Sequence, residues 1–465
     1  MQKRYRIEVF SLLEFISALH LGSGKEDDRF SDQPILRNSQ GIPFIPGSTL
    51  AGTFGDRLTL DQRKEWMGSI PEQVKEKKEN PEVSSLIMDD AFPLPEQESA
   101  LQWPVENRFQ VALNRETLSA ITDCHFNIEV LPVGAVFRFS CRCDLKSTDE
   151  VEEFLNVMEE FLTKGGAIGG KQNAGHGQWR CKDWACTMFD MNASDDLKKW
   201  FNSFHGYQWD GSWVSLKKDF DIEKRELLNR TDNTQWQIKL IIEIKDGLHL
   251  SAGASGLPEN GKSDLYQAKR QKIDNKGNLD EMPEYIDYGT TVKGRLRTAM
   301  EMVLRTCLIR FGGKAPEKAK ELVPVDPSEM NTSPSNNLQS FFGHTKKKGQ
   351  WQVEESVWKN ADTSTEDHIC LDEFTQQVIS YAKFDFSPLK CGNTEVIAIL
   401  PIDAPDWQKN LLFSACKLLT LGIIPWSGHA SRGYLGAKIK IENESTIVSS
   451  FSRTALKDWI IKGGI

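Results

Sequence analysis

The stretch Leu19-His20-Leu21-Gly22-Ser23-Gly24 decides how this chain is read, because it returns as Leu248-His249-Leu250-Ser251-Ala252-Gly253, 229 residues later from His20 to His249. Each copy follows an extended run, Tyr5–Phe10 and Trp236–Ile244, rich in β-branched and aromatic residues, which is a strand pattern. A second pair is Pro46-Gly47-Ser48-Thr49-Leu50-Ala51-Gly52 and Tyr288-Gly289-Thr290-Thr291-Val292-Lys293-Gly294, with 242 residues between Gly47 and Gly289. The second copy thus holds about thirteen extra residues between these landmarks. A third pair is the Gly-rich Ile168–Gly177 and Trp426–Gly436, with 258 residues from Gly170 to Gly428. Landmarks that recur in one order with growing spacing are the mark of a duplication with loop insertions.

Each half reads as strand, Gly-rich turn, long loop, helix, strands, helix, Gly-rich loop, strand. That order predicts an α+β fold with a ferredoxin-like sheet and helices on one face. Helices are predicted over Asp149–Thr163, Val292–Arg310 and Asp406–Leu421, and Gly-Ser-Thr and Gly-Thr-Thr are good helix-opening sequences. The boundaries expected are 1–189 for the first unit, 190–232 for a linker and 233–465 for the second. The polar linker holds Trp200, Trp209 and Trp213, rings better suited to packing it onto a domain than to binding bases.

Composition excludes several classes. The 465 residues are 39% hydrophobic and 26% charged, which suits two or three globular domains. No apolar run approaches membrane length, and the N-terminus turns acidic at Glu8 before any long apolar stretch, so a soluble cytoplasmic protein without a membrane partner is expected. Nine Cys are too few for a disulfide scaffold. The net charge of −9 argues against an indiscriminate polyanion binder, so any such site must be local. Candidates are Lys269–Lys272, Lys293–Arg297 and Lys346–Lys348, each also readable as a solvated face.

Chemical motifs are sparse. Gly165–Gln172 imitates a phosphate-binding P-loop, but Gln172 stands where Ser or Thr should hold Mg²⁺, and the loop follows a helix. Its N–H groups and Lys171 can still meet phosphates. Cys141-Arg142-Cys143 and Cys181…Cys186 lack zinc spacing; Cys141 and Cys143 would share one face of a strand. His20 and His249 are expected as packed or turn-capping residues. The acidic loop Lys25–Asp32, between strand and helix, is on spacing alone a solvated loop.

The ordered motifs carry more. They are Leu19-His20-Leu21-Gly22, Asp32-Gln33-Pro34-Ile35-Leu36-Arg37, Gly41-Ile42-Pro43-Phe44-Ile45-Pro46-Gly47-Ser48-Thr49-Leu50, the pair Asp90-Ala91, the strand Glu129–Phe137 with Glu-x-Leu-Pro-x-Gly-x-x-Phe, and the loop Gly169–Gly177. The second half answers at Leu248–Gly253, Thr290–Arg297, Phe341-Phe342-Gly343 and Gly428–Gly436. In these residues the chain resembles the RAMP superfamily of CRISPR proteins. More narrowly it is similar to the backbone subunits of type III (Csm/Cmr-type) effector complexes, fused in tandem as in type III-D systems.

The resemblance implies two tandem RRM/ferredoxin-like palm domains with thumb hairpins and long insertions, stacked along a crRNA guide. The other partners it implies are the target RNA and further type III subunits: a large polymerase-like subunit, other backbone subunits and small subunits. It implies a metal-dependent endoribonuclease in which Asp32 acts on a splayed nucleotide of the target and holds a divalent ion, Mg²⁺ or Mn²⁺. The products are a cyclic phosphate and a 5′-OH. The RNA-binding residues implied are Gly22, Ser23, Lys25, Gly47, Ser48, Thr49, Arg57, Gly169, Gly170, Lys171 and Gly175 in the first half. In the second they are Thr290, Thr291, Lys293, Arg297, Gly428, His429, Arg432 and Gly433.

Departures from the family pattern assign unequal roles. The Lys and Arg expected after the Gly-Ser turn are Ala51 and Gly55 in the first half, but Lys293 and Arg297 in the second. Counting back from Ile273-Asp274 puts Ala268 at the catalytic position of the second half, with Asp264 nearby and out of register; a register shift in the longer loop would restore Asp264. The first half then reads as the better cutter and the second as the better clamp. Two other readings stay open: a structural guide-binding subunit without chemistry, and a guide-processing RAMP ribonuclease.

Overall fold

The computed structural model describes residues 4–24, 31–68, 83–94, 104–114, 116–117, 120–203, 209, 211–213, 216–217, 222–225, 227, 235–245, 247–250, 267–274, 276–323, 336–343, 348–379, 383–428, 434 and 436–464. The elements that matter for the site are, in chain order, β1 (Tyr5–Phe15), α1 (Gly47–Gly55), β2 (Leu86–Met88), β3 (Glu106–Leu113), β4 (Ala120–Val130), β5 (Val136–Leu145), α2 (Thr148–Lys164), β6 (Gln178–Asp190), β7 (Gln235–Ile244), α3 (Gly289–Gly312), β8 (Gln352–Val353), β9 (Glu366–His368), β10 (Phe384–Phe386), β11 (Leu389–Pro401), α4 (Asp406–Thr420) and β12 (Ala437–Ile441). The fold is α+β, with antiparallel sheets and helices packed against them.

In the first sheet β1 lies between β5 and β6, with Tyr5 opposite Leu145 on one side and Asp190 on the other. In the second, β7 lies between β11 and β12. Alternation sends Ile7, Val9 and Leu13 of β1, with Cys141 and Cys143 of β5, into one core. All nine cysteines are free thiols.

The helix α2 covers this core because Val151, Phe154, Leu155, Met158, Phe161 and Leu162 recur at helical spacing on one face. Burying each contributes about 1.5–3 kcal/mol relative to exposure. Ser147 caps its start, and Gly165, at φ +61°, ends it. Phe54 of α1 meets Phe161 edge-on at 5.3 Å. On the opposite face of the sheet Phe10 and Phe189 pack with Trp209, Leu216, Trp200 and Trp213. The three tryptophans therefore fasten the 190–232 segment to the sheet, as expected, and part of that segment is a helix, Ser194–Ser203, rather than irregular chain.

Hydrogen bonds repeat between the halves. Leu19 and Leu131 exchange N–H···O bonds of 3.0 and 2.8 Å, and Leu248 and Leu389 exchange bonds of 2.9 and 2.8 Å. The N–H of Gly170 donates to the carbonyl of His20 at 2.8 Å, and that of Gly428 to the carbonyl of His249 at 2.8 Å. The residues opening α1 and α3, Pro46 and Tyr288, share φ/ψ of −58°/137° and −57°/134°. The paired landmarks of the sequence thus occupy matching hydrogen-bond positions.

The hairpin β3–β4 reaches out of the first half and lies against the second. Gly134 sits with its α-carbon so close to the Ile273 carbonyl that a Cβ would fall 2.2 Å from the oxygen. The N–H of Ile273 donates to the Val133 carbonyl at 2.7 Å, and Ile273 joins the core of the first half. Arg108 of β3 is 2% exposed and pairs with Glu106 and with Glu355 of the second half. Its guanidinium also stacks over Tyr288, 4.7 Å from the ring centre.

Candidate functional site

The loop carrying Asp32 is fixed to β4 residue by residue. The Asp32 N–H donates to Asn127 Oδ1 at 2.7 Å, and the Asn127 N–H donates to Asp32 Oδ2 at 2.8 Å. The Glu129 N–H donates to the Gln33 carbonyl at 3.1 Å. Glu129 Oε2 accepts from the Ile35 N–H at 3.0 Å and from Arg37 at 2.9 Å. Glu129 of the Glu-x-Leu-Pro strand is therefore the post to which the Asp32–Arg37 motif is tied. Asp32 itself is exposed, and among the described residues only Oδ2 accepts a hydrogen bond.

His20 is spent on structure. Its Nδ1 lies 2.8 Å from the Glu129 carbonyl, and burial lowers its pKa. Its own carbonyl takes the Gly170 N–H, and Gly169, at φ +88°, passes so near that a Cβ would lie 2.3 Å from that oxygen. This stacks the Gly-rich loop on the His20 turn. Lys171 then takes a left-handed conformation (φ 58°) and sets its ammonium 4.9 Å from the Phe126 ring centre. Phe126 precedes Asn127, so the Asp32 loop and the Lys171 loop meet on adjacent residues of β4.

The second half completes the cluster. Lys348 donates to Gln172 at 2.6 Å, and Asn173 Nδ2 donates to the Gly349 carbonyl at 2.9 Å. In α3, Lys293 lies over the Trp351 ring at 5.2 Å, and Arg297 pairs with Glu301 at 2.7 Å. Burial, and then the charges of Arg297, Lys171 and Lys348, push Lys293 down to about 7. Burial also lowers Lys171 and Lys348. Among the described residues neither Lys171 nor Lys293 has a carboxylate partner. Four cations drawn from both halves, two of them unneutralised, make a local field that a bound polyanion would relieve.

Other expected residues serve the fold. The N–H of Gly47, the first of α1, is taken by Asp90 Oδ1 at 2.7 Å, so the Asp-Ala pair caps a helix and occupies the donor expected to meet RNA. Ser48 next to it is exposed and Thr49 half-buried. Arg57 donates to the Gly165 carbonyl at 3.2 Å, at the foot of the Gly-rich loop. Gly175 is a correction: it is buried against Glu354 and Glu355, where a Cβ would come within 2.8 Å of the Glu355 nitrogen, so it packs the junction instead of facing a ligand. Gly22 pairs with Ile35, Ser23 donates to the Pro34 carbonyl, and Thr290 and Thr291 lie half-buried in the first turn of α3. Lys25, Asp264, His429, Arg432 and Gly433 lie outside the described residues.

The hydrogen-bond register also corrects the count in the second half. The Leu36 N–H donates to the Leu21 carbonyl, and the Ala268 N–H donates to the Leu250 carbonyl. Arg37 pairs with Pro43 as Lys269 pairs with Tyr285. Ala268 is therefore the counterpart of Leu36, buried at 1% exposure, and not of Asp32. Counting four residues back from Leu36 reaches Asp32, and counting four back from Ala268 reaches Asp264. The extra residues that misled the count from Ile273 follow Ala268, between Lys269 and Tyr285.

Sequence reasoning named Glu129 only as the first residue of a family motif and missed Asn127 and Phe126 as supports of the site; nothing in spacing singles out residues that act through a neighbouring loop. Lys348 was visible only as the end of a lysine run. Among the described residues no three or more His, Cys, Asp or Glu side chains gather as a metal site. Among the described residues one Asp32 oxygen accepts no hydrogen bond, and a carboxylate oxygen is a donor that a divalent ion would take together with phosphate oxygens and water.

No helix among the described residues is long and apolar enough to cross a membrane. No curated protein matches the chain. Residues 12–180, from β1 through the Asp32 loop, the β3–β4 hairpin and the Gly-rich loop into β6, match the family model of the RAMP superfamily.

Proposed function

We propose that the chain is a tandem fusion of two RAMP backbone units of a type III CRISPR effector, which holds a crRNA guide and cuts the paired target RNA. The observation that carries this reading is the meeting, on Phe126 and Asn127 of β4, of an exposed carboxylate with the edge of a four-cation cluster drawn from both halves. Lys171, Lys293 and Lys348, with Arg297, take the RNA phosphates. Guide pairing supplies sequence recognition, so an acidic chain needs only this local field.

Cutting follows from position. When a target nucleotide is splayed beside the loop, its 2′-OH can align with its own phosphate, and alignment supplies much of the rate. Asp32 orients the 2′-OH or accepts its proton. A divalent ion on Asp32 would stabilise charge on the phosphate. The matched counting of Asp32 and Asp264 supports a second cutting residue in the second half. The purely structural reading has one observation behind it: the Asp32 bond to Asn127 also anchors the loop. The guide-processing reading, which favours His-containing sites, finds His20 and His176 buried with lowered pKa values, and His125 exposed on β4.

The test is guide RNA binding across a salt series. Lys171→Ala and Lys293→Ala each reduce affinity and flatten the slope of log K against log salt by about 0.7, the single-strand value per phosphate contact. Unchanged slopes would remove the cluster from the interface. Lys293 adds a pH signature. Its pKa near 7 means that it charges as pH falls from 8 to 6. Bound phosphate favours the charged form, so affinity rises over that fall and binding takes up a proton. Lys293→Met abolishes the trend, measured by fluorescence anisotropy at constant ionic strength.

A further inference from the structure

Opening a target linkage needs a second proton transfer, which Asp32 does not supply. When the 2′-oxygen attacks, the bond from phosphorus to the 5′-oxygen breaks, and that oxygen is a strong base that leaves slowly unless an acid protonates it. In-line attack puts it across phosphorus from the 2′-oxygen. The acid must therefore stand one short step beyond Asp32, on the same face of the protein.

The strand β4 places a histidine there. Asn127 and Glu129 both turn toward the Asp32 loop: Asn127 Oδ1 accepts from the Asp32 N–H at 2.7 Å, and Glu129 Oε2 accepts from the Ile35 N–H at 3.0 Å. Phe126, Ile128 and Val130 pack with Ala18 on the other face. Strand alternation thus gives His125 the face of Asn127, two residues or roughly 7 Å further along. The loop runs parallel to β4, with Gln33 bridged to Ile128 and Asp32 bonded to Asn127, so His125 extends past Asp32. His125 is exposed, and Val111, its partner across the hairpin, is 51% exposed, which leaves this face open to a polymer. His20 and His176, by contrast, are buried on protein partners.

The second half repeats the placement with another donor. Leu131 and Leu389 occupy matching positions, 258 residues apart. The same interval carries Asn127 to Asp385 and His125 to Lys383, and Phe109 pairs with Asn127 as Asp367 pairs with Asp385. Lys383 is exposed too, but it lies 3.3 Å from Asp367, a carboxylate where the first half has Phe109. Imidazole is the side chain that most often serves as an acid near neutral pH.

We propose that His125 is the general acid of the first cutting site. This rests on the reading of Asp32 as the group that takes the 2′-OH proton. The 2′-oxygen bonds to phosphorus as its proton passes to Asp32. The bond from phosphorus to the 5′-oxygen breaks with its electron pair, and the His125 imidazolium gives that oxygen a proton. The products are the cyclic phosphate and the 5′-OH, and exchange with solvent resets both exposed side chains.

The test puts sulfur in place of the bridging 5′-oxygen at the scissile position of the target, because a thiolate leaves without being protonated. In the guide-loaded full chain, His125→Ala cuts the natural target at the Asp32 position about 10²- to 10⁴-fold more slowly, yet cuts the sulfur target at the wild-type rate. His125→Gln, which keeps a hydrogen-bond donor but releases no proton, behaves as His125→Ala. Asp32→Asn slows both targets alike, since the 2′-OH must still lose its proton. Unchanged guide affinity by anisotropy shows that each variant is folded. If His125→Ala slows neither target, or both equally, or if His125→Gln restores cutting, the proposal falls while wild-type cutting keeps the Asp32 reading. Site-specific cutting of free repeat RNA that His125→Ala abolishes would overturn it in favour of guide processing. A wild type that leaves the natural target whole overturns the cutting reading itself, and the acid with it.

Discussion

Asp32→Asn in the guide-loaded chain lowers target cutting at one position by about 10²- to 10⁴-fold, the usual contribution of a positioned acid–base group. The substitution is chosen because its amide oxygen still accepts the Asn127 N–H, so the loop stays tied to β4. Guide affinity should be unchanged. Single-turnover cleavage of end-labelled target measures the first, and anisotropy the second. Asp264→Asn should remove a different position and leave the Asp32 cut intact. Full-rate cutting everywhere in Asp32→Asn would leave that carboxylate a loop anchor and favour the purely structural reading.

Arg108→Met destabilises the folded chain by about 3–5 kcal/mol, because it leaves buried carboxylates uncompensated. Glu106 and Glu355 are 9% and 1% exposed. Burial raises the pKa of Glu106; burial also opposes ionisation of Glu355, but the charges of Arg108 and Arg270 outweigh it. His176 does not compensate: burial holds it down to about 3, so it is neutral at pH 7 and accepts from Arg108 through Nε2. The loss reads out as a lower urea midpoint. A further Glu355→Leu in the Arg108→Met background should recover part of it by removing one stranded charge. A variant as stable as the wild type would show that the junction is held by the Val133–Ile273 contacts alone.

The same junction explains where sequence and structure part. Strand and helix periods were legible because burial imposes them locally: β1 and α2 follow their apolar patterns to within a few residues. The duplicated landmarks were legible because backbone contacts allow few residues there. Gly47 must pass the Met88 carbonyl and its counterpart Gly289 the Ala174 carbonyl, so glycine recurs there, whereas Gly169, which passes the His20 carbonyl, is answered by Ser427. Three of the four clustered cations, Lys171, Lys293 and Arg297, were named on motif position.

Their meeting was not legible. Lys171 and Lys293 stand 122 residues apart, and only the docking of the Gly-rich loop on α3 lets the charge of Lys171 lower the pKa of Lys293. Gly175 looked like a ligand-facing glycine because a close backbone approach to protein and one to phosphate demand the same residue. Ala268 was miscounted because inserted residues shift numbering without shifting hydrogen bonds.

The amino-acid order by itself determined the α+β alternation, the repeated glycine turns and the acid at position 32, since each depends on neighbours a few residues away. Which carboxylate caps α1, which glycine is buried and which lysines lose their partners were decided only by the packing of one half on the other. Desolvation and Coulomb energy depend on distance in space, and the chain fixes that distance only when it closes on itself.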